Sequence, residues 1–190
     1  MAGCEEHGAG ARAHLARQTA LRSVDPADGA GHHESGETLD LYDEFTAIVA
    51  ALEAGDVGYA ICGGMAMAIH GFPRATVDID LVVPPGDLAR ALSTARELGY
   101  TVPAEPMSFA GGAVEIRRVS KVDAGSHDLL SLDLLVVTPE IEQVWKERAR
   151  VRWEGGELWV VSRQGLTRLK RLRGSGQDRD DIERLEKGGP

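Results

Sequence analysis

The sequence has few cysteines and no long apolar run, and each of these gaps excludes a class of protein. Its 190 residues include only Cys4, near the N-terminus, and Cys62, in a predicted buried strand, which is a poor basis for a disulfide framework. No group of cysteines and histidines has the spacing of zinc ligands. No apolar run approaches the length of a membrane span, and the first residues lack the basic and apolar pattern of a secretion signal. We therefore expect a cytoplasmic protein that does not enter membranes.

The chain also lacks an excess of positive charge. Its 30 acidic residues outnumber its 21 lysines and arginines, and the formal net charge is −9. Proteins that wrap DNA or RNA usually contain a basic domain, so this balance argues against broad nucleic-acid binding. A local basic site is still compatible with the sequence, because Lys170, Arg171 and Arg173 cluster near the C-terminus. These three side chains could meet a triphosphate or an RNA end.

The length and the apolar content fit one domain with a helical appendage. Hydrophobic residues make up 43% of the chain, which is enough for a packed core. Residues 1–36 are rich in glycine, alanine, histidine and acidic residues and lack apolar periodicity, so we expect a disordered or loosely docked tail. Residues 37–190 are expected to form the folded domain, including its C-terminal helices.

The most informative stretch is Tyr59 to Val83, with the sequence YAICGGMAMAIHGFPRATVDIDLVV. Its second half reads as a buried strand that carries Asp78 and Asp80. Side chains of a strand alternate between its two faces, so these two carboxylates lie on the same face. Two adjacent carboxylates on an apolar strand repel each other and are costly to bury, unless a hard cation lies between them. Mg²⁺ fits this description, because it binds one or two carboxylates together with substrate phosphates and water.

The glycine pair Gly63-Gly64 supplies the other half of a phosphate site. Without Cβ atoms the backbone can approach a ligand closely, and the N–H groups at the start of the next helix point towards an anion. Alone, a glycine pair is usually a turn, and an Asp-x-Asp sequence is usually a solvated strand edge or a cap. In the order strand, glycine pair, helix, loop and strand, they indicate a site for a metal nucleoside triphosphate.

This arrangement resembles the nucleotidyltransferase superfamily, which has the fold of DNA polymerase beta and kanamycin nucleotidyltransferase. More narrowly, it is similar to the small bacterial AbiEii-like nucleotidyltransferases, a group that includes toxins of toxin–antitoxin systems. The residues that carry this resemblance are Gly63-Gly64-Met65-Ala66, Gly71, Arg74, Thr76 and Asp78-Ile79-Asp80. The resemblance extends over about Leu39 to Lys187. Gly64 stands where many members carry serine, so the backbone would have to bind phosphate without a hydroxyl contact.

The resemblance implies a reaction and its participants. A nucleoside monophosphate would move from a nucleoside triphosphate to an acceptor, and pyrophosphate would be released. Mg²⁺ bound by Asp78 and Asp80 would be the cofactor, and Gly63 and Gly64 would cradle the phosphates. The acceptor is not readable from the sequence, and a tRNA end, a protein side chain and an antibiotic hydroxyl all stay open. An antitoxin would be the partner if the protein is a toxin.

Asp133 is a solitary acid in the apolar run Leu129 to Val137. If it is buried, it must be paired with a cation or hydrogen-bonded. One interpretation is a salt bridge to an arginine such as Arg117. The other is a third carboxylate of the metal site, which the resemblance favours because the superfamily has a third acid on a later strand. In that role Asp133 would bind the second metal ion or act as general base for the acceptor hydroxyl.

The end of the chain resembles the ending of the same family, in which a lysine-bearing helix precedes a motif with two acids. Lys170 matches the lysine, and Asp178 and Asp181 match the acids, whereas Gln177 stands where the family often has lysine. Lys170 would neutralise charge on the triphosphate, and we expect it to point towards Asp78 and Asp80; otherwise it is an ordinary solvated helix lysine. Arg74 precedes the aspartates on a loop and would contact either phosphate or an acid.

The periodicity of the chain predicts an α/β fold: a small mixed sheet with helices packed behind it and a C-terminal helical pair. Strands are expected at 59–62, 77–83, 113–122 and 129–137, with a hairpin at 150–161. Helices are expected at 38–52, capped by Thr38, and at 65–70, 87–98, 139–148, 163–172 and 177–186. Residues 105–112 are expected to form a loop. Two other functions stay open on this scaffold: a nucleotide-dependent phosphotransferase and a non-catalytic nucleotide-binding module.

Overall fold

A computed structural model describes residues 39–153 and 156–188. The tail predicted for residues 1–36 lies outside the described residues. The described part combines one open mixed sheet with six α-helices, which agrees with the predicted α/β class. No helix in this part is long and apolar enough to cross a membrane.

The sheet has eight strands. In chain order they are β1 (Ala60–Ile61), β2 (Asp78–Val83), β3 (Val102–Pro103), β4 (Met107–Phe109), β5 (Val114–Val122), β6 (Leu129–Val136), β7 (Ala149–Trp153) and β8 (Gly156–Val160). Their order across the sheet is β3-β5-β6-β2-β1-β8-β7, and β4 pairs with β5. β2 runs parallel to β6 and antiparallel to β1, and β1 runs parallel to β8. The centre of the sheet is therefore formed by strands that are far apart in the sequence.

The six helices are α1 (Leu41–Ala54), α2 (Gly63–Ile69), α3 (Leu88–Glu97), α4 (Glu142–Lys146), α5 (Arg163–Arg173) and α6 (Gly176–Lys187). α1 buries Phe45, Ile48, Val49 and Leu52, the apolar stripe that its helical spacing predicts. The cap is Asp40, and not Thr38 as predicted. The Asp40 carboxylate accepts hydrogen bonds from the backbone N–H groups of Tyr42 and Asp43 at 2.8 and 3.1 Å.

Three other sequence predictions need correction. The loop predicted at 105–112 contains strand β4, which adds to the edge of β5. The helix predicted at 139–148 is a 3₁₀ turn, Pro139–Ile141, followed by the short α4. Helix α2 begins at Gly63 and so includes both glycines, whereas the prediction began at Met65. β4 is held by backbone pairing with β5, and α2 begins at the left-handed φ of Gly63; neither feature is visible in the side-chain periodicity.

The C-terminal helical pair is confirmed, and local capping explains where its helices begin. Ser162 caps α5 by accepting a hydrogen bond from the Gly165 N–H. Gly174 has a left-handed φ of 69°, which ends α5 and turns the chain into α6. Ser175 and Asp178 then form a reciprocal capping box at the start of α6. These turns fold α6 back on α5, and α5 in turn contacts strand β5.

Candidate active site

The turn between β1 and α2 brings the backbone directly against Asp80. Gly63 has a left-handed φ of 59°, and a Cβ atom placed on it would lie only 1.8 Å from Asp80 Oδ2. The Cys62 N–H donates to the Asp80 carbonyl at 3.0 Å, which fixes the register of this contact. Only glycine fits here, because any side chain would displace the carboxylate. The glycine predicted to lie near phosphate therefore also packs against a predicted metal ligand.

Gly64 is enclosed in a different way. A Cβ atom on Gly64 would lie 2.5 Å from Thr76 Oγ1 and 2.6 Å from Thr76 Cβ. The Thr76 side chain thus fills the volume that a serine would need at position 64. This contact gives a physical reason why the chain has glycine where many of the proteins it resembles carry serine.

Asp80 is a buried carboxylate that lacks a hydrogen-bond donor. Its relative exposure is 7%, and among residues 39–153 and 156–188 no donor lies within hydrogen-bond distance of its carboxylate oxygens. Burial, together with the neighbouring charge of Asp133, raises the pKa of Asp80 to about 6. A carboxylate in this state is poorly stabilised by the protein alone, and a bound cation would supply the missing charge.

Asp78 lies two residues earlier on the same face of β2, as the strand period predicts. Its side chain is 37% exposed, and Arg118 Nη2 lies 3.7 Å from Asp78 Oδ2. Burial raises the pKa of Asp78, while the charge of Arg118 acts in the opposite direction. The two carboxylates therefore share one face, with Asp80 at the bottom of the site and Asp78 at its solvent edge.

Asp133 is next to Asp80 across the parallel pair β2 and β6, and it is engaged by an arginine. The strand register aligns Asp80 with Asp133, and Asp133 with Arg118 on β5. Arg118 Nε and Nη2 donate to the two Asp133 oxygens at 2.6 and 2.7 Å. Arg117, the partner considered from the sequence, lies 3.4 Å from Glu115 instead. Asp133 thus lies where a third carboxylate of a metal site would lie, but both of its oxygens are already bound to Arg118.

Lys170 reaches the same site from α5. It is 2% exposed and lines a narrow cleft together with Cys62, Gly63, Asp80 and Arg173. Its side chain therefore lines the cleft that holds Asp80, one of the two aspartates towards which the sequence predicts that it points. It is not an ordinary solvated helix lysine, since its Nζ atom is enclosed by protein.

A cluster of charges on α5, α6 and the loop before β2 holds Lys170 in place. Lys170 Nζ lies 2.7 Å from Asp181 Oδ2 and 3.6 Å from Asp178 Oδ1. Arg74 Nε donates to the same Asp181 oxygen at 2.9 Å, and Arg173 binds both oxygens of Asp178. Burial opposes ionisation of Asp178, but hydrogen bonds from Arg173 and Ser175 outweigh it and lower its pKa to about 2. We call Arg74, Lys170, Arg173, Asp178 and Asp181 the ion cluster.

The site has two cations whose roles the sequence did not specify, Arg118 and Arg173. Arg173 was expected only as part of a basic cluster that could meet a triphosphate, and Arg118 was not singled out within the strand expected at 113–122. The alternation of Val114, Ile116 and Arg118 does place Arg118 on the face of the buried residues. That signal shows that the side chain points inwards, but the partner on β6 depends on the strand register.

The residues present fit a divalent ion held by two carboxylates. Asp80 is buried without a donor, and Asp78 presents a second carboxylate on the same face towards solvent. Within the described ranges, no group of three or more acidic, histidine or cysteine side chains is arranged to hold a metal ion. Two carboxylates with the remaining positions left to phosphate and water is the usual mode of Mg²⁺ binding.

Comparisons with known proteins show the fold of this chain. No protein-family model matches the sequence, and no curated protein matches it. A presumed nucleotidyltransferase of Thermotoga maritima aligns with a TM-score of 0.50 and 15% identity, over 80% of this chain and 99% of that chain. ANT(2'')-Ia in complex with adenylyl-2''-tobramycin aligns with a TM-score of 0.50 and 15% identity, over 73% of this chain and 83% of that chain. These similarities confirm the predicted nucleotidyltransferase fold, and the narrower AbiEii-like assignment stays a prediction.

Proposed function

We propose that this protein is a Mg²⁺-dependent nucleotidyltransferase that moves a nucleoside monophosphate from a nucleoside triphosphate to an acceptor. The observation that carries the proposal is the environment of Asp80. This carboxylate is buried, has no donor within the described residues, and is pressed against the backbone of Gly63. A fold that keeps such a group ionised must gain from a cation that binds there.

Asp78 and Asp80 would hold the ion, with phosphate and water in its other positions. When bound, Mg²⁺ would neutralise charge on the triphosphate and make the transferred phosphorus more electrophilic. Asp80 would anchor the ion at the base of the cleft, since its burial and the contact with Gly63 fix its position. Asp78 is more exposed and would orient it from the solvent side. The sequence predicts that Asp133 binds a second metal ion or acts as general base for the acceptor hydroxyl, and its position opposite Asp80 is compatible with either role.

The backbone at Gly63 and Gly64 would contact the β- and γ-phosphates. Gly63, in its left-handed turn, lines the cleft at the point where the triphosphate would meet Asp80. The Thr76 side chain beside Gly64 places a hydroxyl near this turn, although it comes from a different position than the serine of related proteins. The phosphates would therefore lie between the start of α2 and the carboxyl-bearing face of β2.

The ion cluster would supply the positive charge opposite the aspartates. Three cationic side chains and two carboxylates leave it with one excess positive charge. Lys170 and Arg173 both line the cleft next to Gly63 and Asp80, and Lys170, which matches the lysine of the family that the chain resembles, would contact the triphosphate. Arg74 binds Asp181, which favours the acid among its two predicted partners; a phosphate contact would require it to move.

Transfer assays with two radioactive labels test the reaction itself. The protein is incubated with Mg²⁺ and each nucleoside triphosphate, ATP included, labelled at either the α- or the γ-phosphate. Label transferred from the α-position indicates nucleotidyl transfer, and label transferred from the γ-position indicates the phosphotransferase alternative. No transfer combined with Mg²⁺-dependent nucleotide binding would indicate a non-catalytic module. Asp80→Asn is the matched control, because it preserves shape and removes the charge.

The acceptor panel contains tRNA, protein and aminoglycosides. The sequence leaves all three open as acceptors, and the adenylyl-tobramycin adduct in ANT(2'')-Ia, which shares the fold, is a further reason to include the third. A toxin role predicts that induced expression of the wild type stops growth and that the Asp80→Asn variant does not. Copurification of a second protein that suppresses transfer would identify the predicted antitoxin.

A further inference from the structure

Arg118 belongs to a row of charged residues that crosses the acidic face. It lies on β5 opposite Asp133, which in turn lies opposite Asp80, so the three residues form one row across three strands with Arg118 at one end. Asp78 is the next acidic position on that face of β2. The guanidinium contacts two of the carboxylates that the sequence assigns to metal binding, Asp133 and Asp78, although Arg118 was not itself assigned to the site.

The Arg118 guanidinium uses both oxygens of Asp133. The two distances of 2.6 and 2.7 Å describe a bidentate fork, the strongest geometry for an arginine and a carboxylate. Asp133 is 3% exposed, so little of it is left for another ligand. The second nitrogen of the fork also lies 3.7 Å from Asp78 Oδ2. The positive charge thus lies between Asp133 and Asp78.

The number of charges limits how many metal ions this face can hold. Asp78, Asp80 and Asp133 carry three negative charges when ionised, and Arg118 contributes one positive charge that arginine does not lose. The remaining two negative charges match a single divalent ion. A second ion would need the Asp133 oxygens that Arg118 holds, and it would lie next to a charge of the same sign.

We propose that Arg118 takes the place of the second metal ion, so that the site binds one divalent ion, held by Asp78 and Asp80. This inference rests on the proposed function. It makes Asp133 the anchor of the guanidinium and not a metal ligand, in contrast to the expectation from the sequence. Arg118 is then a positioning residue that balances charge at Asp133 and at the outer carboxylate Asp78.

The test counts Mn²⁺ ions bound to the full-length protein without nucleotide, by the loss of the free-ion signal in electron paramagnetic resonance. We expect one ion in the wild type and two in Arg118→Met, where Asp133 is released. Two ions about 4 Å apart would also show spin coupling, which one ion cannot. The matched control is Arg117→Met, which removes an adjacent arginine on the opposite face of β5 and should keep one ion.

Two further variants keep the test decisive if Arg118→Met folds poorly. Arg118→Gln removes the charge with a smaller change in polarity and should also bind two ions. The double variant Arg118→Met with Asp133→Asn removes both partners and should return to one. Two ions in the wild type, or one ion in both single variants of Arg118, would overturn the inference and leave the proposed function standing. No Mn²⁺ bound to the wild type would overturn the proposed metal site, and the inference with it.

Discussion

Replacing Asp80 with asparagine should stabilise the metal-free protein at neutral pH. The fold raises the pKa of Asp80 from 3.8 to about 6, so the folded protein binds this proton more tightly than the unfolded chain does. The Asp80 carboxyl group therefore makes its full contribution to the free energy of unfolding below pH ~4, and this contribution is lost as the pH rises through ~6. The difference in pKa corresponds to a loss of about 3 kcal/mol at pH 7.5. An unpaired amide costs about 1 kcal/mol, which leaves a net gain of about 2 kcal/mol for Asp80→Asn.

The assay is urea unfolding of the wild type and the variant in EDTA at pH 4 and pH 7.5. At pH 7.5 the variant should unfold at higher urea, and its melting temperature should be higher by about 4–8 °C. At pH 4 the gain should vanish, because the wild-type carboxyl group is then protonated. Asp78→Asn is the internal comparison, and its gain should be smaller because Asp78 is more exposed.

Added Mg²⁺ separates this reasoning from a general effect of asparagine. Mg²⁺ should stabilise the wild type at pH 7.5 and leave Asp80→Asn unchanged, since only the ionised carboxylate can hold the ion. A variant that is less stable than the wild type in EDTA at pH 7.5 would mean that the fold stabilises Asp80 as an ion. A gain that is the same at both pH values would mean that asparagine acts independently of the ionisation of Asp80.

Three other perturbations have expected outcomes. Lys170→Ala should weaken nucleotide binding in a filter assay. It should also lower the free energy of unfolding by about 3 kcal/mol, because it breaks a buried ion pair. Unchanged stability would contradict the inference that Lys170 is paired in the ion cluster. Gly64→Ser should destabilise the fold by about 1–3 kcal/mol through its clash with Thr76, whereas Gly64→Ser with Thr76→Gly should recover most of the loss. Gly86→Ser is the control, since its Cβ meets nothing within 4 Å, and an equal loss there would refute the clash. Deletion of residues 1–36 should leave the urea midpoint unchanged, because they add few large apolar residues; a broad or shifted transition would show that they belong to the domain.

The local half of the site could be predicted from the sequence. The period of two along β2 places Asp78 and Asp80 on one face, and the structure has them there. Gly63 was correctly marked as a point of close backbone approach, and it has a left-handed φ that other residues avoid. Such features depend on residues that are near one another in the chain, so the periodicity and residue type are sufficient to find them.

The non-local half could not be predicted in the same way. Arg117 and Arg118 are adjacent in the sequence and equally able to pair with Asp133, and only the strand register selects Arg118. Strand β4 was missed because its three residues are held by pairing with β5 and have no clear alternation of their own. From the sequence, phosphate and an acidic side chain were equally possible partners of Arg74. In the structure its partner is Asp181, which is 107 residues away in the chain.

The same long-range connections determine when this protein can acquire its site during synthesis. Strand β1 joins the sheet through β2 on one side and through β8, about a hundred residues later, on the other. Lys170 and Arg173 line the cleft from α5, and their acidic partners come from α6. A ribosome-bound chain that ends before α6 would therefore display both aspartates but lack the anchored lysine. The candidate site should therefore be complete only after α6 has been synthesised, well after both aspartates have left the ribosome.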